Sequence, residues 1–207
     1  MKENNNNTKE KILKVATKLF SQKGYSGTSV REIAKAAGVN VAMISYFWGG
    51  KQELFNWIIN NLVENQTNYA KSALDFAINP EDLSKEDQIQ LMYRTVDKVI
   101  EFFYSDLSSE LLTILLHGQK EKEIFGNLPL FKYGKKLLAA LFDKRENDKE
   151  VILTLVSIIT LINSPRLMPN FSLTLMNQRT FHQEDVRIIR KNVITYMEAL
   201  LRKHDLI

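Results

Sequence analysis

The sequence predicts an all-helical protein, and three observations carry that expectation. Breakers are scarce, with 8 Gly and 4 Pro in 207 residues, which favours long helices over many short strands. Apolar residues recur at separations of three and four along most of the chain. No useful stretch alternates apolar and polar residues, and no internal repeat is visible. At 44% hydrophobic and 25% charged, the composition is that of a globular chain rather than a disordered one.

The elements follow in order, about nine helices in all. Asn4 to Asn7 is a polar run without an apolar anchor and is expected to be unstructured. A first helix covers 8–23, with Ile12, Ala16, Leu19 and Phe20 on one face and Gly24 as its stop. The second starts at Ser29, where S-x-x-E spacing with Glu32 predicts a reciprocal capping box. It buries Val30, Ile33, Ala34 and Ala37 and breaks at Gly38. Asn40 caps a short third helix over 41–47, closed by Gly49-Gly50. Lys51 opens a long fourth helix reaching about 77, before Asn79-Pro80. Further helices are expected over 84–104, 107–117, 127–144, 149–163 and 183–204, with a proline-bearing loop or broken turns over 164–178.

Several function classes are excluded or disfavoured. The chain has no cysteine, which removes disulfides, thiolate-bound metal and a thiol nucleophile. The three histidines, His117, His182 and His204, have no metal-ligand spacing on a helix. No carboxylate pair is spaced for acid–base work, and no glycine-rich phosphate loop is present. No catalytic residue and no cofactor are therefore expected. The most apolar run, VILTLVSIITLI from Val151 to Ile162, is too short to span about 30 Å of hydrocarbon. Residues 1–10 lack the apolar stretch of a secretory signal. The expectation is a soluble, cytoplasmic protein without a membrane partner.

Charge is uneven. Of 28 basic and 24 acidic residues, residues 1–60 hold nine basic and four acidic, so the net positive excess lies in that segment. A basic end on a near-neutral body suggests a polyanion partner.

The segment 29–47 reads as short helix, glycine-containing turn, short helix, the helix-turn-helix arrangement. Val39 and Ile44 are expected to clamp the second helix onto Ile33 and Ala34. Val41, Ala42, Met43 and Ser45 are then left facing outward. That small, partly apolar set suits thymine methyl contact and hydrogen bonding in a major groove about 12 Å wide.

From Thr8 to Leu62 the sequence resembles the DNA-binding domain of the tetracycline-repressor (TetR) family. The resemblance rests on KILKVATKLFSQKGYSGTSVREIAKAAGVNVAMISYFWGGKQELF, with its F-x-x-x-G-Y, T-S-V-R-E-I-A, A-G-V and G-K-x-E-L-F elements. It implies a DNA-binding domain over 1–50 and a ligand-binding and dimerisation domain over 51–207. It implies a homodimer on double-stranded DNA and a small-molecule effector. Carried over position by position, the phosphate and base contacts fall on Ser29, Arg31, Val41, Ala42, Met43, Ser45, Tyr46, Phe47 and Lys51. The chain departs from the pattern at Ser45, where Tyr is frequent, at Phe47, where His or Tyr is frequent, and at Trp48, where Phe is usual. Phe47 has no donor for a phosphate, whereas Tyr46 keeps its hydroxyl.

The expected function is a ligand-responsive transcriptional regulator, a repressor released from a palindromic operator by a mostly apolar effector. The alternative is an effector-independent helix-turn-helix protein acting through a protein partner. Tyr69, Tyr93, Phe103 and His117 are the expected pocket-lining residues, because they combine central helix positions with aromatic rings or polar atoms. The helix over 149–163 is apolar nearly all round. With the last helix it is expected to form a four-helix dimer seam using Ser157, Thr160, Ile189, Val193, Tyr196, Met197 and Leu200.

Overall fold

The structure is a computed structural model, and it describes residues 2–105, 113–114 and 128–207. The described residues form nine α-helices and one short 3₁₀ turn, with no strand among them. We number the helices α1 (Lys2–Lys23), α2 (Val30–Ala37), α3 (Ala42–Trp48), α4 (Lys51–Ala73), α5 (Lys85–Ser105), α6 (Pro129–Leu141), α7 (Lys149–Leu167), α8 (Pro169–Leu175) and α9 (Gln183–Lys203). The 3₁₀ turn is Pro80–Asp82. The helix expected over 107–117 lies outside the described residues except for Thr113 and Ile114, as does His117.

Contacts divide the described chain into two compact units: residues 2–65 with 113–114, and residues 66–105 with 128–207. The sequence placed its boundary between 50 and 51, one half-helix earlier.

The first unit is built around side chains that the helical period places inward. Ile12, Ala16 and Phe20 of α1, Ile33 and Ala34 of α2, Ile44 and Trp48 of α3, and Leu54, Ile58 and Ile59 of α4 form one buried cluster. Each fully buried Ile or Leu contributes about 1.5–3 kcal/mol relative to exposure. Thr28, buried at the start of α2, donates its hydroxyl to the carbonyls of Gly24 (2.9 Å) and Leu19 (3.2 Å). Those carbonyls lie in the last turn of α1 and just past its end, so one hydroxyl ties α1 to the start of α2. Residues 2–7, expected to lack structure, continue α1 instead. Extending an existing helix costs far less than starting one.

In the second unit α6 packs on α5, α7 and the 3₁₀ turn, while α9 packs on α5 and α7. Lys85, in the first turn of α5, donates to the carbonyls of Ala140 (2.7 Å) and Leu141 (3.0 Å) and pairs with Asp143 (2.8 Å). A cation there satisfies the last acceptors of α6 and complements its dipole.

The segment 164–178, expected to be a loop or broken turns, is mostly helical as far as Leu175. α7 continues through Pro165 to Leu167, and α8 follows at Pro169. A proline inside a helix removes the amide that would serve the carbonyl four residues earlier, here that of Leu161. Ser164 supplies the missing donor from its hydroxyl at 3.3 Å. Nearby, Asn163 donates to the carbonyl of Ile159 (2.9 Å) and Tyr104 to that of Ile162 (2.9 Å). Burial pushes the Tyr104 hydroxyl up to about 12. It therefore stays a proton donor across the whole working range.

α7 is long and apolar enough to cross a membrane by length and composition. Its residues Val151, Thr154, Ile158 and Ile162 are buried within the second unit.

The dimer-seam expectation for α9 needs correction. Ile189, Val193 and Met197 are buried inside the chain's own core, because they are the face that covers α5 and α7. Val193 and Met197 have no exposed surface left for a second molecule, and Ile189 has little. Tyr196 and Leu200 are half-buried, and Ser157 and Thr160 of α7 are exposed. Beside these two lies an apolar row the sequence did not single out: Ile152 (40% exposed), Leu153 (64%) and Val156 (52%).

Candidate nucleic-acid interface

Ser29 is the N-cap of α2. It holds extended backbone and accepts a hydrogen bond from the Glu32 amide at 3.2 Å. Only this half of the expected capping box forms. The Glu32 carboxylate pairs instead with Lys23 of α1, and the hydrogen bond from that ammonium holds its carboxyl below the ordinary range. Arg31 is exposed on α2 and makes no ion pair among the described residues.

Gly38 ends α2 in the left-handed region, φ +66°, where a Cβ would be strained. The turn then brings Asn40 to α3, and its side chain accepts from the Ala42 amide at 2.9 Å. This is the cap the sequence predicted, one residue later in helix register. Gly49 ends α3 at φ +88°, its amide bonded to the Ser45 carbonyl at 2.8 Å.

With Ile44 and Trp48 buried, the helical period turns Val41, Ala42, Ser45 and Tyr46 outward. All four are exposed, Tyr46 at 72%. Met43 and Phe47 are placed differently from the expectation: both are half-buried and packed on the core cluster. Phe47 stands edge-on between Tyr46 (5.2 Å) and Trp48 (5.4 Å). It braces its neighbours rather than reaching out. Lys51 opens α4, with its ammonium 4.1 Å from the centre of the Tyr25 ring. Exposed small side chains on a short helix, flanked by an uncompensated arginine and a lysine, can read base edges and hold phosphates.

The model of bacterial regulatory proteins of the tetR family matches residues 12–58, the same helices that carry this geometry. The N-terminal helices thus belong to a DNA-binding domain of the TetR family. Residues 125–203 match the C-terminal domain of the HTH-type transcriptional dual regulator CecR. Among relatives, a protein described as "Probable HTH-type transcriptional regulator YttP" of Bacillus subtilis is 39% identical over 131 residues, 57% of this chain. The chain spans 61% of that relative's length. CecR of Shigella flexneri is 24% identical over 94% of this chain and 91% of its own. A TetR-like transcriptional regulator from Rhodococcus sp. RHA1 has the same fold, with TM-score 0.56 and 15% identity over 92% of this chain and 96% of its own.

Of the residues expected to line an effector pocket, Tyr69, Tyr93 and Phe103 lie in the second unit, and His117 lies outside the described residues. The Tyr69 hydroxyl donates to the Lys98 carbonyl (3.1 Å), and its ring meets Phe102 (5.3 Å). Phe103 is buried beside Phe102. Tyr93 has Glu198 and Arg202 of α9 as its charged neighbours, and burial raises its hydroxyl. A cleft of about 540 Å³ in the second unit is lined by other residues, among them Phe76, Tyr133, Lys132, Lys136 and Glu146.

Proposed function

We propose that this chain is a TetR-family transcriptional regulator that binds double-stranded DNA as a homodimer and acts as a repressor. The observation that carries the reading is the outward row Val41, Ala42, Ser45 and Tyr46 on α3, clamped from behind by Ile44 and Trp48. Two copies of α3 would enter successive major grooves about 34–36 Å apart on a near-palindromic operator. Contacts from Ser29, Arg31, Tyr46 and Lys51 to phosphates would set position, and Val41, Ala42 and Ser45 would read bases.

A small, mostly apolar effector in the C-terminal unit would release the DNA. It does so only if it binds the DNA-incompetent state more tightly than the competent one. Homodimerisation would use the exposed face of α7, where Ile152, Leu153 and Val156 join Ser157 and Thr160.

The test is fluorescence anisotropy of the purified chain against labelled duplexes from the DNA flanking its own gene. One duplex should bind at least a thousandfold more tightly than random sequence, within the usual range for specific sites. Equal, salt-sensitive binding to every duplex would leave a non-specific DNA-binding protein. No binding at low salt would end the reading.

A further inference from the structure

We infer that Lys9 is a further phosphate anchor, held in place by Trp48 and Trp57. The inference rests on the proposed DNA-binding reading and adds a contact to it. Lys9 lies on α1, within the basic segment. Its ammonium sits 5.2 Å from the centre of the Trp57 ring and 5.7 Å from that of Trp48. Lys9 is half-buried and makes no ion pair among the described residues.

Two tryptophans around one ammonium are a specific arrangement. The rings stand edge to face, 6.3 Å apart. Tryptophan is the strongest aromatic partner for a cation. Trp48 is 8% exposed, and its indole N–H is buried with no hydrogen-bond partner among the described residues. The indole is therefore not placed for its hydrogen bond, and what it offers is its face. An ammonium over an aromatic face keeps its N–H donors for whatever approaches from the other side.

The location fits a phosphate. Tyr46, Phe47 and Trp48 form a continuous aromatic row with ring centres 5.2 and 5.4 Å apart, and Lys9 and Trp57 stand at its buried end. The row thus passes around α3 from the exposed Tyr46 to the buried Trp48, and the half-buried Lys9 ammonium stands on that last ring. Phe47, midway, has no donor to give. The chain places a tryptophan after it, and that tryptophan holds a cation. Lys9 supplies the charge that Phe47 cannot.

The experiment measures binding of the full-length chain to a fluorescent 30-base-pair random-sequence duplex across a salt series. Each neutralised phosphate contributes about −0.9 to the slope of log K against log salt. Lys9→Gln should make the slope shallower by about that amount, and Lys9→Arg should restore it. Trp57→Leu should weaken binding in the Lys9 background and have no further effect in Lys9→Gln, which places the ring's role in positioning the lysine. A Lys9→Gln slope equal to wild type, with a lowered thermal midpoint, would make the ring contact purely structural and overturn the inference. Wild-type chain without salt-dependent binding would overturn the DNA-binding reading as well.

Discussion

Lys51 keeps its ammonium 4.1 Å from the centre of the Tyr25 ring, and Tyr25 is itself fixed by Phe20 (6.0 Å, stacked) and Phe55 (5.1 Å, edge-on). A cation in the first turn of a helix opposes the dipole by about 0.3–1 kcal/mol. A ring beneath it returns about 0.5–1 kcal/mol, so the lysine is held at a helix start where it would otherwise be disfavoured. Lys51→Ala is expected to weaken all duplexes alike and to make the salt slope shallower by about 0.9. Tyr25→Phe, which keeps the face, should match wild type, and Tyr25→Leu should lose part of the Lys51 contribution. Anisotropy titrations across salt check this; a Tyr25→Phe variant as weak as Tyr25→Leu would assign the effect to the hydroxyl.

The recognition helix separates reading from bracing. Ser45→Ala and Val41→Ala alter exposed side chains, so they should change preference at one or two base positions and leave the salt slope alone. Met43 is half-buried on the core. Met43→Ala should also cost about 1–2 kcal/mol of stability, below the range for a fully buried methionine. Sequencing the duplexes selected from a randomised pool, together with urea unfolding, distinguishes the two classes.

Glu150 draws two lysines together at the N-terminus of α7, Lys203 (2.7 Å) and Lys144 (2.9 Å), with the His204 ring nitrogen 3.2 Å away. Hydrogen bonds from Lys203 and Lys144 hold its carboxyl down at about 2. A depressed carboxyl stabilises the fold above its unfolded value of about 4.3, and that contribution disappears as pH falls towards about 2. Thermal midpoints of wild type and Glu150→Gln should therefore differ at neutral pH and converge between about 4.3 and 2. A constant gap throughout that window would show that the ion pairs contribute nothing to it.

The exposed α7 row and the buried α9 row predict opposite outcomes for the same change. Val156→Glu places a charge on an exposed position and is expected to give a folded monomer that binds operator DNA poorly. Ile189→Glu places one in the core, and a buried unpaired charge is expected to unfold the second unit. Analytical ultracentrifugation with circular dichroism checks both. Val156→Glu sedimenting as a dimer would move the interface elsewhere.

The N-terminal site was legible because its determinants are local. Ser29, Gly38, Asn40 and Gly49 act within a few residues of themselves, and Ile33, Ala34 and Ile44 follow the helical period. The Glu32 side chain was not legible, because its partner Lys23 comes from a different helix, nine residues away. Pro165 reads locally as a stop. Its helix continues because Ser164 fills the vacated bond, with Tyr104, remote in sequence, serving the neighbouring carbonyl. On α9 the period reveals an apolar face at Ile189, Val193 and Met197, yet periodicity does not say whether the same chain or another covers it. Lys9 carried no motif, since its signal is the meeting of two tryptophans from α3 and α4.

Continuation of α7 through Pro165 sets a length as well as a path. At 1.5 Å per residue, its 19 residues make an edge of about 28 Å. Along it, Leu153, Val156, Thr160 and Ser164 recur every three or four residues, all exposed, and the exposed Met168 follows just past its end. Apolar side chains stand at both ends and hydroxyls in the middle. Any molecule lying against this edge would be gripped at two separated points rather than along a uniform strip, and a shift of one helical turn would set methyl groups against hydroxyls. The proline that would ordinarily have ended the helix thus leaves this exposed edge uncut.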